Sequence, residues 1–194
     1  MIYLIDDDPA VREALHLLLQ TYELPVTCFE SPADCLAHLD RSQPGILITD
    51  LRMPLMSGLQ MHEQLQAQGL DWPTIVITGH GDLHACRRAF KAGATDFLTK
   101  PIEEQTLLEA IEAAQAKLRQ LAERQEAQRS LQSLTERESE VLALITKGLG
   151  SKEIATALDI SVRTVDTHRA KLAEKLGTGS VAEQTRLLLC AHHS

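Results

Sequence analysis

Aromatic residues make up only 3% of this 194-residue chain, and Trp72 is its single tryptophan. That scarcity argues against a protein that reads bases by stacking. No apolar run approaches the roughly 20 residues of a membrane span. The opening stretch Met1-Ile2-Tyr3-Leu4-Ile5 turns acidic at Asp6 and has no basic leader, so it does not read as a signal peptide. The cysteines Cys28, Cys35, Cys86 and Cys190 show no C-x-x-C spacing, which leaves no zinc or disulfide framework. Three of them lie among apolar neighbours and are expected to be buried free thiols in a reducing cytoplasm. Membrane and secreted classes drop out, and a cytoplasmic protein is expected.

What remains is an ordinary globular composition, 44% hydrophobic and 24% charged, with room in 21.4 kDa for one or two domains. The net charge of −8 is unevenly placed. Residues 1–104 carry 15 acidic and 7 basic side chains, residues 105–134 carry 4 of each, and residues 135–194 carry 8 of each. The acidic surplus belongs to the first half, so a neutral second half can still present a basic face to nucleic acid.

The first hundred residues alternate short apolar runs with helical patterns. Strands are expected at Ile2–Ile5, Val26–Phe29, 45–49, Thr74–Thr78 and Asp96–Thr99. Helices are expected at 9–20, where Pro9 suits a first turn, and around 32–40, 57–67 and 82–92. Five strands alternating with helices, several apolar throughout, predict an α/β domain with a doubly wound parallel sheet.

From Ile102 to about Ser133 the chain loses Gly and Pro and becomes rich in Glu, Gln, Ala, Leu and Arg. Ile111, Ala114, Leu118, Leu121, Gln125 and Gln128 alternate steps of three and four. Because the seam ends in glutamines, 105–134 reads as a solvated helical linker that continues the last helix of a 1–120 domain. A new start follows at Thr135-Glu136-Arg137-Glu138, a capping box ahead of Val141, Leu142 and Ile145. Lys152–Leu158, the short turn Asp159-Ile160-Ser161 and Val162–Leu176 then have helix-turn-helix spacing, with a last helix near 181–189. A second, small all-α domain is expected over 135–194.

Asp6, Asp7, Asp50, Thr78 and Lys100 share one property: each falls at the C-terminal end of an expected strand. That edge of an open parallel sheet is where ligands bind. Clustered carboxylates repel one another, so they call for a cation, and hard oxygen donors favour Mg²⁺. A carboxylate-bound cation beside a lysine and a hydroxyl suits phosphoryl transfer, with one carboxylate as nucleophile.

Residues 1 to about 120 resemble the receiver domain of bacterial two-component response regulators. The likeness is carried by Ile5-Asp6-Asp7-Asp8, Thr49-Asp50-Leu51-Arg52-Met53-Pro54, Val76-Ile77-Thr78-Gly79-His80-Gly81-Asp82 and Asp96-Phe97-Leu98-Thr99-Lys100-Pro101. Leu142 through Leu176 resembles the LuxR-type helix-turn-helix, and the two together resemble the NarL/FixJ family. The resemblance implies Asp50 as phosphoacceptor, with Asp6, Asp7, Asp50 and the backbone carbonyl of Arg52 around Mg²⁺. It implies Thr78 and Lys100 as the groups that meet the phosphoryl oxygens, Phe97 as the switch aromatic, and a cis bond before Pro101. Leu55 departs from the acidic residue often found after Met-Pro. His80 is read as loop structure or a partner-facing residue, and His16, His38, His62 and His84 are expected at the surface.

On the helix 162–176, Val165, Leu172 and Leu176 are spaced to face a core. The opposite face carries Arg163, Asp166, Thr167, Ala170 and Glu174, with Arg169 and Lys171 beside it. An apolar inner stripe, base-facing side chains and phosphate-facing cations are what a major-groove helix needs. By resemblance Asp166, Thr167 and Ala170 face bases, while Thr164, His168, Arg169, Lys171 and Lys152 contact the backbone. The expected function is a transcription factor that takes a phosphoryl group from a sensor histidine kinase and then dimerises and binds double-stranded DNA, working with the transcription machinery. Its only catalysis would be its own phosphotransfer and dephosphorylation. Two other readings stay open at this point. One is a phosphate-independent DNA-binding protein with a scaffold domain, and the other a phosphoaspartyl phosphatase using Asp6-x-Asp8.

Overall fold

A computed structural model describes residues 1–79 and 83–192. The chain divides into two compact units, Met1–Arg119 and Gln120–Ser194.

The first unit is built on five parallel strands: β1 (Ile2–Ile5), β2 (Val26–Phe29), β3 (Ile46–Asp50), β4 (Thr74–Thr78) and β5 (Asp96–Thr99). Their order in the sheet is β2-β1-β3-β4-β5, the flavodoxin-like winding, with the direction of winding reversing between β1 and β3. The register aligns Ile5 with Thr49, Asp50 with Ile77, and Thr78 with Thr99. The C-terminal ends of the four strands β1, β3, β4 and β5 therefore meet along one edge. Between the strands run α1 (Pro9–Thr21), α2 (Pro32–His38), α3 (Gly58–Ala67) and α4 (Leu83–Lys91).

Every residue of β1, β3 and β4 is buried, which is why these strands read as unbroken apolar runs rather than alternating ones. Alternation still decides the face. Ile2, Leu4, Ile46, Ile48, Ile75 and Ile77 pack with Leu15, Leu19, Leu107 and Ile111. Tyr3, Ile5 and Leu47 point the other way, toward Phe29, Met61, Leu65 and Trp72. A smaller cluster of Leu51, Val76, Ala85, Ala89 and Ala94 lies beneath α4.

α5 (Glu104–Gln132) is one unbroken helix of 29 residues. Its first half gives Leu107, Ala110, Ile111 and Ala114 to the sheet cluster. In the second unit Ala127 is buried, Leu131 joins the apolar core and Gln128 Nε2 donates to the Ala191 carbonyl at 3.2 Å. The second unit adds α6 (Glu136–Thr146), α7 (Ser151–Leu158), α8 (Val162–Leu176) and α9 (Val181–His192). Val141, Leu142, Ile145, Ile154, Val165, Leu172 and Leu176 form its core.

Two expectations from the sequence are corrected here. His62 is buried, not at the surface. It faces inward from α3, with Nε2 at 2.9 Å from the Ala92 carbonyl and Nδ1 at 2.9 Å from the Thr74 hydroxyl. Because a carbonyl only accepts, Nε2 carries the proton toward Ala92, while the Thr74 hydroxyl lies between Nδ1 and the Trp72 carbonyl, 3.1 Å from the latter. Desolvation pulls this imidazole below its ordinary range, against the pull of the Ala92 bond. The cysteines also differ from expectation, for only Cys35 is fully buried, its thiol pushed up to about 12 by burial, whereas Cys28, Cys86 and Cys190 are half-buried. An apolar neighbourhood in sequence does not state which side of a helix or strand a side chain takes.

Candidate functional site

The edge where four strands end holds Asp6, Asp50, Thr78 and Lys100 together. Asp6 (1% exposed), Asp50 (6%) and Thr78 (1%) are all buried. The Lys100 ammonium reaches between the two carboxylates, 2.8 Å from Asp6 Oδ2 and 2.7 Å from Asp50 Oδ1. Their other oxygens are also occupied. Asp6 Oδ1 accepts the Asp8 amide at 2.9 Å, and Asp50 Oδ2 accepts the Arg52 amide at 2.5 Å. Burial alone would pull Lys100 down, but hydrogen bonds and charge from Asp50 and Asp6 outweigh it and hold the ammonium above its ordinary range. The Lys100 amide donates to the Thr78 carbonyl at 2.8 Å, locking the end of β5 to the end of β4. The Lys100–Pro101 peptide is cis, as the resemblance implied.

Two carboxylates and one ammonium leave this buried corner with a net negative charge. Its donors are hard carboxylate oxygens, and Asp7 stands exposed beside Asp6 on the same edge. That set suits Mg²⁺. Among the described residues, no three acidic, imidazole or thiolate groups already converge as a closed metal cage. Lys100 fills the space between Asp6 and Asp50 instead.

Asp8 does not belong to the chemistry. Its side chain accepts the Ala10 amide at 2.9 Å and caps α1, which removes the Asp6-x-Asp8 pair that a phosphatase reading would need. Arg12 is a residue that sequence reasoning missed. Its guanidinium donates to the Asp6 carbonyl at 2.6 Å and pins the loop that carries the acidic run. Its place in the first turns of α1, on the side facing β1, was the available signal. Phe97 is half-buried and packs against the cluster beneath α4. The loop residues His80, Gly81 and Asp82 lie outside the described residues.

In the second unit the helix-turn-helix geometry is explicit. α7 ends at Asp159, in the left-handed conformation (φ 53°), and Ser161 accepts the Thr164 amide at 3.0 Å to start α8. Gly177 closes α8 in the left-handed region (φ 68°). Along α8, Arg163, Thr164, Asp166, Thr167, Ala170 and Lys171 are exposed, His168 and Arg169 are half-buried, and Lys152 is exposed on α7. Two of the hydroxyls are engaged locally, Thr164 with Ser161 Oγ at 2.7 Å and Thr167 with the Arg163 carbonyl at 2.9 Å. α8 is held from below by a clamp that the sequence did not announce. Lys175, near its end, reaches Glu138 Oε2 at 2.7 Å and the Ser133 carbonyl at 3.0 Å. Glu138 is also the returning arm of the Thr135 capping box. The Lys175 ammonium, together with the Thr135 amide, holds the Glu138 carboxyl down to about 2. The end of α8 and the capping box that opens α6 are thus one network.

Comparison with known proteins agrees with this geometry. Residues 2–112 match the response regulator receiver domain, and residues 132–188 match the bacterial regulatory proteins of the luxR family. The response regulator TodT of Pseudomonas putida is 42% identical over 191 residues, covering 96% of this chain and 84% of its own. The transcriptional regulatory protein FixJ of Rhizobium meliloti is 38% identical over 192 residues, covering 97% and 94%. The solved structure of the response regulator StyR is 42% identical with a TM-score of 0.74, covering 97% of both chains. Full-length FixJ from B. japonicum is 36% identical with a TM-score of 0.57, covering 98% and 96%. A receiver-type acidic edge on one unit and a LuxR-type helix-turn-helix on the other place this chain among the two-component response regulators that regulate transcription.

Proposed function

We propose that the chain is switched by phosphorylation of Asp50, which controls dimerisation and sequence-specific DNA binding. The observation that carries this reading is the single ammonium of Lys100 shared by Asp6 and Asp50 at the strand edge. In the reaction, the N–P bond of a phosphohistidine on a sensor kinase breaks and a bond from an Asp50 carboxylate oxygen to phosphorus forms; a proton on the other ring nitrogen of the phosphohistidine lets the kinase imidazole leave neutral. Asp6, Asp7, Asp50 and the Arg52 carbonyl would hold Mg²⁺, which when bound supplies positive charge to the equatorial phosphoryl oxygens.

The chain's own residues account for the switch by charge arithmetic. Phosphorylation removes the single negative charge of the Asp50 carboxylate, and the phosphoryl group brings between about −1.5 and −2. The ammonium of Lys100, until then divided between two carboxylates, meets a stronger acceptor and turns to it. The hydroxyl of Thr78, buried at the same edge, donates to a second phosphoryl oxygen. Phe97, only half-buried against small alanines, moves into space released near Thr78. The two strand ends involved are joined by the Lys100–Thr78 backbone bond, so movement at one is felt at the other.

In this reading 1–120 is the receiver, 105–134 continues its last helix, and 135–194 is the DNA-binding domain. Asp166, Thr167 and Ala170 read bases, while Lys152, Arg163, Thr164, His168, Arg169 and Lys171 contact phosphates or flank them. A single α8 offers few cations, so two copies binding two half-sites supply the affinity. Among the described residues no helix is long and apolar enough to cross a membrane, and the site of action is the cytoplasm, beside the transcription machinery.

Intact mass after incubation with Mg²⁺ and acetyl phosphate tests the chemistry. One added phosphoryl group is expected on the native chain and none on Asp50→Asn. A gain on both proteins, or equal dimerisation and DNA binding by Asp50→Asn under the phosphodonor, would overturn the reading.

A further inference from the structure

Two clefts lie side by side between α3 and α4, reaching Arg52 next to the acidic corner but lined by none of Asp6, Asp50 or Lys100. One of about 520 Å³ is lined by Gln60, Glu63, Arg88 and Lys91 among others. The other, of about 360 Å³, lies against the β3–α3 connection and includes Arg52, Met53, Leu55 and Met56. Ser57, Leu59, Gln60 and Arg88 border both, so the two make one groove. Its length along α3, from Ser57 to Glu63, is about 9 Å at 1.5 Å per residue. That is room for one to two turns of a partner helix.

Three features of this groove point to an occupant. The first is charge. The 1–104 region has 15 acidic but only 7 basic side chains, and three of those seven, Arg52, Arg88 and Lys91, line this groove. All three are exposed, and among the described residues none is ion-paired. One carboxylate, Glu63, shares the lining, so the groove stays positive on a strongly acidic unit. The second is its apolar wall, formed by Leu59 and Met56, both half-buried, above buried Leu51 and Met53. The third is Leu55. It is 106% exposed, the most exposed large hydrophobic side chain among the described residues, and its backbone is left-handed at φ 67°. A leucine held in that region, with its side chain wholly in water, gains nothing within this unit.

We propose that this groove is a docking surface for an acidic, leucine-bearing amphipathic segment of a partner protein. Carboxylates of the segment would meet Arg52, Arg88 and Lys91, and its apolar face would cover Leu55 and Leu59. The positive groove speeds encounter with an acidic partner, and the covered leucines slow its departure. The assignment does not depend on phosphorylation of Asp50.

Fluorescence polarisation of the full chain with a labelled amphipathic peptide of glutamate and leucine tests it. Saturable binding is expected, weakened about tenfold or more by Arg88→Glu, by Lys91→Glu and by Leu55→Asp. Arg41→Glu, on the α2–β3 connection at the opposite edge of the sheet, should leave binding unchanged. All four positions are exposed, and unchanged Trp72 emission will show that each variant folds. Absence of saturable binding would overturn the assignment. So would equal weakening by Arg41→Glu, which would mean that only total charge is sensed. Arg88-dependent competition by duplex DNA would overturn it too, by making the groove a nucleic-acid surface.

Discussion

Gly58 opens α3 against the strand that carries Asp50, and replacing it sets two effects of opposite sign against each other. A Cβ built there would lie within 3.0 Å of Thr49 Oγ1, the Asp50 carbonyl oxygen and Thr49 Cγ2. In a helix alanine is favoured over glycine by about 0.5–1 kcal/mol. Overpacking costs about 1–3 kcal/mol, and the upper part of that range applies where backbone must yield. Steric conflict therefore wins, and Gly58→Ala should destabilise the first unit by about 1–2 kcal/mol. For a domain of this size that lowers the melting midpoint by roughly 4–10 °C. Trp72, 4% exposed in the same unit and the only tryptophan, reports the transition by fluorescence. Gly177 provides the contrast: φ is +68° and nothing lies within 4 Å of its would-be Cβ. There the penalty is conformational, about 1–2 kcal/mol for Ala, and Asn should relieve it. Asn at position 58 should instead be worse than Ala. Because one of the colliding atoms is the Asp50 carbonyl oxygen, Gly58→Ala should also slow labelling of Asp50 by acetyl phosphate. A Gly58→Ala protein melting at or above the native midpoint would refute the reasoning.

Three further outcomes are expected. Leu172→Ala removes a side chain that is 0% exposed from the core under α8, so it should cost about 2–5 kcal/mol and abolish DNA binding while phosphorylation of Asp50 continues; loss of both together would contradict it. Glu138 sits at about 2 when folded against an ordinary 4.5, so its contribution is complete above pH 4.5 and is lost as pH falls toward 2. Circular dichroism of acid unfolding should accordingly show a steeper loss for the native second unit than for Glu138→Gln. Lys100→Met leaves Asp6 and Asp50 without their shared cation, a cost on the order of 1–3 kcal/mol after allowance for the 24% exposure of the lysine. Mg²⁺ should then raise the melting midpoint of this variant more than that of the native chain, and equal shifts would count against metal binding at these carboxylates.

Much of the fold was legible because its signals are local. Apolar runs ending in Asp6, Asp50, Thr78 and Lys100 marked the strand ends, and Pro9, Thr135, Ser161 and Gly177 marked helix ends through caps whose partners lie within a turn. Strand order was legible only by resemblance, since hydropathy along a chain does not say which strand lies beside which. The sequence by itself determined the elements, the acidic edge and the apolar stripe of α8. Tertiary structure alone decided that Lys100 stands between Asp6 and Asp50, 94 and 50 residues away. It also turned His62 inward onto Thr74 and Ala92, and tied Lys175 to Glu138 across 37 residues. The physical reason is the same in each case. A local pattern fixes backbone conformation through neighbours in sequence, whereas the partner of a buried polar group is fixed by whichever distant segment the packed core brings within hydrogen-bonding distance.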